Sequence, residues 1–143
     1  MSQSIDVNVL LYASDSSSPF HKKAKALLKL LLKDQLYLTY PVLMSYLRIV
    51  TNPRVLSQPL TGSEALENIL ALVGSSRVRL LSEESGFFEV YAKMTRDIPV
   101  HGNLVPDAHL TALLTQHGVK RLYTNDSDFR RFSSIEVINP FLD

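Results

Sequence analysis

The segment from Gly102 to Phe132, GNLVPDAHLTALLTQHGVKRLYTNDSDFRRF, constrains the fold more than any other, because a single pass along it predicts a helix, a tight turn, a strand and an acidic loop. Pro106 suits a first helical turn, where its missing N–H has no intrahelical acceptor to lose, and Asn103 stands where a cap is expected. The helix is therefore expected from near Leu104. Ala108, Leu110, Leu113 and Leu114 recur at helical spacing, and Gly118, which tolerates a left-handed turn, ends the helix near His117. Val119 to Thr124 then reads as a short buried strand closed by the turn residues Asn125 and Asp126. A helix running at once into a strand implies a parallel sheet, and ligands of such sheets gather just beyond the carboxyl ends of the strands. Three of the eight aspartates of the chain, Asp107, Asp126 and Asp128, lie in this one segment.

The rest of the chain repeats the alternation. A first strand is expected at Ser4–Asp6, followed by a helical turn through Val9, Leu10, Tyr12 and Ala13, with Asp6 at its start as an N-cap or as a functional acid. Ser18, Pro19 and Phe20 mark the next helix, whose Ala24, Leu27, Leu28, Leu31 and Leu32 form a buried stripe ending near Asp34. Leu36 to Thr39 reads as a second strand, and Pro41 opens a helix that Asn52 and Pro53 end. A helix at Ser63–Val73 closed by Gly74, a strand at Val78–Leu81, a helix from about Glu83 to Arg96 and an edge strand at Ile135–Ile138 complete the series. No internal repeat or linker interrupts it. With 143 residues, the chain is expected to be one α/β domain, residues 1–143, with three layers around a mainly parallel sheet.

Absence of cysteine excludes disulfides, thiolate metal sites and a cysteine nucleophile. The opening MSQSIDVNVLLYA lacks the basic region and cleavage site of a secretory signal, and no apolar run approaches the ~20 residues that span a bilayer, so a cytoplasmic protein without membrane contact is expected. Net charge is +1, but the positive charge is unevenly placed: His21, Lys22, Lys23, Lys25, Lys29 and Lys33 share one predicted helix. Lys22, Lys23, Lys25, Arg48, Arg54, Arg130 and Arg131 are candidates for phosphate contacts. For the lysine helix, a solvated face is the simpler reading.

If the strands at Ile5 and Leu122 are neighbours, Asp6 and Asp126 emerge on one edge of the sheet, and Asp107, at a helix start, can approach them. Clustered carboxylates repel or take up protons unless a cation sits among them, and oxygen-only ligands suit Mg²⁺ or Mn²⁺. Such an ion orients a phosphodiester, stabilises developing charge and activates water for in-line attack. Zinc on His101, His109 and His117 is disfavoured, because eight-residue spacing does not keep ligands on one helix face. An α/β phosphoryl-transfer protein with an aspartyl nucleophile is an alternative, but the chain has no glycine-rich phosphate loop and no lysine at a strand end. Phe87, Phe88, Tyr91 and Met94, close together on one helix, exceed what one helix face buries in an ordinary core and suggest a surface for association.

IDVNVLLYA at the start, LRIVTNPRV from Leu47, GNLVPDAHL from Gly102, TNDSDF from Thr124 and the closing Asn139-Pro140 together resemble the PIN-domain ribonucleases, in particular the VapC-type toxins of toxin–antitoxin systems. The resemblance covers nearly the whole chain. It implies a mainly parallel sheet flanked by helices, RNA cleavage with Mg²⁺ or Mn²⁺, homodimerisation and inhibition by a cognate antitoxin. By the same resemblance Asp6, Asp107 and Asp126 correspond to the catalytic, metal-holding acids, Asp128 to an accessory acid, and Asn8 and Thr124 to supporting polar positions. One position departs from the family pattern. Ser45, in VLMSYLRIV, stands where the family usually has a glutamate, and a serine supplies no charge to a hard cation. The resemblance therefore leaves two forms of the function: a ribonuclease working with three acids, or an impaired relative that acts by binding RNA or an antitoxin.

Overall fold

In the computed structural model, which describes residues 2–142, the chain alternates strands and helices along its length. In order, these are β1 (Gln3–Ile5), α1 (Val7–Ser14), α2 (His21–Leu31), β2 (Leu36–Thr39), α3 (Tyr40–Val50), α4 (Gly62–Val73), β3 (Val78–Leu81), α5 (Phe87–Thr95), α6 (Val105–Gln116), β4 (Arg121–Tyr123) and β5 (Glu136–Ile138). Short 3₁₀ turns at Gly102–Leu104 and Ser127–Arg131 complete the path. The strands form one sheet in the order β3-β2-β1-β4-β5, with every pair parallel. Helices α1 to α4 pack on one another and α5 packs on α6, giving the three-layer α/β arrangement.

The order of strands decides where a site can form. From β1 the chain steps outward to β2 and β3, then returns to β4 on the other side of β1 and continues to β5. Loops leaving the carboxyl ends of β1 and β4 therefore diverge and open a crevice between them. Pairing of Ile5 with Tyr123 sets the register there, and the Asp6 N–H continues the ladder by donating to the Tyr123 carbonyl at 3.0 Å.

Burial follows the apolar pattern. Ile5, Leu36, Leu38, Val50, Leu113, Leu114 and Leu122 are wholly inaccessible, and α6 buries Thr111 and Ala112 as well as the expected Ala108, Leu110, Leu113 and Leu114. As the connection that returns the chain across the sheet, α6 is enclosed on more than one face; the Thr111 hydroxyl satisfies itself by donating to the Asp107 carbonyl at 2.8 Å. Gly118 turns at φ +71°, as the segment's helix-to-strand reversal requires.

Three local expectations are corrected. Asn103 does not cap α6: it lies inside the 3₁₀ turn that feeds directly into the helix, whose N-cap is Leu104 with no side-chain bond. The first strand ends at Ile5, so Asp6 is the N-cap of α1 instead of a strand residue. Helix α5 begins at Phe87 instead of near Glu83, after Gly86 at φ +84°. The physical reason is long-range: Gln116 on α6 accepts from the Glu84 N–H at 3.0 Å and donates to the Glu84 and Ser85 carbonyls at 3.1 and 3.2 Å, holding that backbone open. His117 contacts the Ser82 carbonyl at 2.7 Å and His109 pairs with Glu83, so these two histidines are committed to the same segment and not to one another.

Candidate active site

The crevice between β1 and β4 is where the aspartates meet. Asp6 follows β1 as the N-cap of α1, and one carboxylate oxygen accepts from the Val7 N–H at 2.7 Å. Its other oxygen accepts from the Thr124 hydroxyl at 2.9 Å and from the Asn8 amide at 3.4 Å, while the same amide donates to the Thr124 oxygen at 3.0 Å. Thr124 follows β4, is buried, and its oxygen also receives the Asp126 N–H at 3.0 Å. Asp126 in turn caps the 3₁₀ turn by accepting from the Asp128 N–H at 2.9 Å. One network thus fixes Asp6 and Asp126 from two adjacent strand ends.

Asp107 enters from the first turn of α6, which Pro106 helps to start. Oxygens of Asp107, Asp126 and Asp128 lie within 4.8 Å of one another. That trio differs from the expected Asp6, Asp107 and Asp126: Asp128 stands in the close group, while Asp6 lines the same cavity with Asp107 and Asp126 and is more deeply enclosed by its hydrogen bonds. The cavity holds about 250 Å³ and is also lined by Asn8, Ser45, Pro106 and the apolar Val42, Leu110 and Phe129. Ser45, on α3, therefore faces the acids, and its hydroxyl has no hydrogen-bond partner among the described residues.

The electrostatics are those of crowded negative charge. Burial, followed by the neighbouring carboxylates of Asp126, Asp6 and Asp128, pushes the Asp107 carboxyl up to about 7. Burial also raises Asp6, against the hydrogen bonds from Val7 and Thr124 that favour its charged form. The donor set is all oxygen, and the buried Asn8 Oδ1 has no partner among the described residues. Both features fit a hard divalent cation.

The basic candidates are distributed differently. Lys22, Lys23 and Lys25 are exposed on α2 and line neither this cavity nor the one beside it; Lys23 reaches the Phe141 carbonyl at 3.3 Å. Arg48 and Arg54 are exposed and also lie outside both cavities, and Arg131 contacts Asp128 at 3.7 Å. Arg130 lines a second cavity of about 140 Å³ with Thr124, Asn125, Asp126, Ser127 and Asn139, so that Asp126 belongs to both. Asn125 and Asn139 were not legible as neighbours, since they follow different strands that only the β4–β5 pairing brings together.

No family model matches the chain. It is 43% identical over 143 residues to Ribonuclease VapC48 of Mycobacterium tuberculosis, with 99% of each chain covered. To Ribonuclease VapC43 of the same species it is 30% identical over 138 residues, covering 95% of this chain and 93% of that one. Among solved structures, it is similar to a chain of VapBC2 from Rickettsia felis bound to a promoter DNA fragment, with a TM-score of 0.69, 18% identity and coverage of 97% and 98%. VapC20 of Mycobacterium tuberculosis, described as a Sarcin-Ricin loop cleaving toxin, gives a TM-score of 0.65 at 18% identity, covering 94% of this chain and 98% of that one.

Proposed function

This chain belongs to the VapC ribonucleases of toxin–antitoxin systems, and we propose that it hydrolyses RNA phosphodiester bonds at the crevice holding Asp6, Asp107, Asp126 and Asp128, with Mg²⁺ or Mn²⁺ bound there. The observation that carries the reading is the convergence of carboxylates from the ends of β1 and β4 and the start of α6, where burial and the neighbouring carboxylates together push Asp107 up to about 7. Asp107, Asp126 and Asp128 would hold the ion through their oxygens, with Asp6 beside them, and Asn8 and Thr124 fix the Asp6 carboxylate. When bound, the cation polarises the phosphoryl oxygens and lowers the pKa of a coordinated water. The protein's own share is to hold the acids rigidly, through backbone N–H bonds at Asp6 and Asp126, and to wall the crevice with Val42, Leu110 and Phe129.

Calorimetric titration with Mn²⁺ tests the site. Binding that disappears when Asp6, Asp107 and Asp126 all become asparagine supports it, and unchanged binding overturns it.

The second form of the reading, an impaired relative that only binds RNA or an antitoxin, has its specific support in Ser45 facing the acids where the family has a glutamate. For partners, an antitoxin is inferred from the family and from the antitoxin complexes among the similar folds. Association into a homodimer is inferred from the apolar surface of α5 and α6, where Phe88 is 79% exposed beside Phe87, Tyr91 and Val105. A strict monomer in sedimentation at high micromolar concentration contradicts the dimer. Among the described residues no helix is long and apolar enough to cross a membrane.

A further inference from the structure

We propose that the cavity beside the acidic crevice is a subsite for the nucleotide flanking the scissile phosphate, with Arg130 gripping that nucleotide's phosphate and Asn125 and Asn139 contacting its sugar-phosphate edge. The proposal rests on the reading of the chain as an RNA-cleaving protein and adds to it a place and a set of residues. Asp126 lines both cavities, so an RNA strand with one phosphate at the acids has its neighbour within reach of the second cavity. The free volume of about 140 Å³ is roughly that of four or five waters at ~30 Å³ each, which suits one phosphate and part of a ribose.

The hydrogen-bonding groups left over are those an RNA backbone needs. Arg130 makes no ion pair or hydrogen bond among the described residues, whereas its neighbour Arg131 is engaged with Asp128. An unpaired guanidinium presents a fork of donors that matches phosphate geometry. Asn139 spends its Oδ1 on the Phe141 N–H at 2.9 Å, leaving the amide hydrogens to donate to a phosphate oxygen. Asn125 spends its amide on the Tyr12 hydroxyl at 2.9 Å, leaving Oδ1 to accept from a donor. A ribose 2′-hydroxyl is such a donor, and DNA lacks it. Thus one cavity carries donors for phosphate and an acceptor for the group that marks RNA.

The test compares the full chain with Arg130→Gln, Arg130→Lys and, as a control for loss of any one positive charge, Lys29→Gln on the exposed face of α2. Binding of a short fluorescent single-stranded RNA and of the DNA of the same sequence is followed by anisotropy over a salt series in EDTA, so that no metal-dependent cleavage interferes. Arg130→Gln is expected to weaken RNA binding about three- to tenfold and to reduce the salt slope by about one unit, with Arg130→Lys between it and the parent and Lys29→Gln near the parent. Asn125→Ala is expected to narrow the RNA-over-DNA preference while leaving the salt slope in place. Equal losses in Arg130→Gln and Lys29→Gln, or no loss in either, overturn the subsite while RNA binding by the parent stands. A parent that binds no RNA in EDTA overturns the subsite, and the functional reading falls with it only if Mn²⁺-dependent cleavage is absent as well.

Discussion

Asp107 is the residue whose protonation most directly reports the state of the site. Its carboxyl titrates near 7 in the folded chain and near 3.8 as an isolated side chain. Between those values the folded form keeps a proton that the unfolded form has released, so its contribution to stability is present at low pH and is lost as pH rises through about 7. Metal-free protein is therefore expected to show a fall in melting temperature across this window that Asp107→Asn removes and that saturating Mn²⁺ offsets. Thermal melts at a series of pH values check it; an Asp107→Asn variant with the parent's pH profile contradicts it. Ser45 gives the complementary experiment. Ser45→Glu adds a carboxylate to the cavity of Asp6, Asp107 and Asp126, so Mn²⁺ affinity should rise and, with an otherwise intact site, RNA cleavage with it. Without metal the same variant should melt lower, because a fifth acid beside Asp6, Asp107, Asp126 and Asp128 adds repulsion, and with metal it should recover. Loss of stability with and without Mn²⁺ alike is the result expected if the change only disturbs α3.

At the level of elements, the turn between α6 and β4 is the joint that lets a buried helix return directly into the sheet. Gly118 sits there at φ +71° with open space where a Cβ would stand, so any cost of Gly118→Ala arises from backbone conformation and not from collision. A loss of about 1 kcal/mol is expected, and a denaturant melt within a few tenths of the parent contradicts it. This joint was legible in the sequence because its signals are local: a proline in the first turn, a helical apolar period and a glycine before a short β-favouring run. The start of α5 was not. Glu83, Glu84 and Ser85 look like the opening turn of a helix, yet Gln116, more than thirty positions away, takes backbone groups of Glu84 and Ser85. Local pattern carries no trace of such a partner. Asp6 shows the intermediate case: its N-cap chemistry was readable, but its place beside Asp126 depends on β1 and β4 being neighbours, which adjacency in sequence does not give.

At the scale of the whole molecule, the strand order converts separated acids into a site. β1 and β4 are far apart along the chain and side by side in the sheet, and the outward step to β2 and β3 leaves their carboxyl ends facing a shared crevice. The apolar residues that form the core also set the register that brings the Thr124 hydroxyl to the Asp6 carboxylate. Fold and acid cluster are thus one arrangement, and Ser45 lines the same cavity as the acids. Cleavage of single-stranded RNA by the parent chain and by Asp126→Asn, each with EDTA and with Mn²⁺, tests the central claim. The parent should cleave with Mn²⁺ and not with EDTA, and Asp126→Asn should lose at least two orders of magnitude of that rate, on the order of what an electrostatic catalytic group supplies. Cleavage by the parent that persists in EDTA, or that Asp126→Asn leaves intact, contradicts a metal-dependent ribonuclease at this crevice.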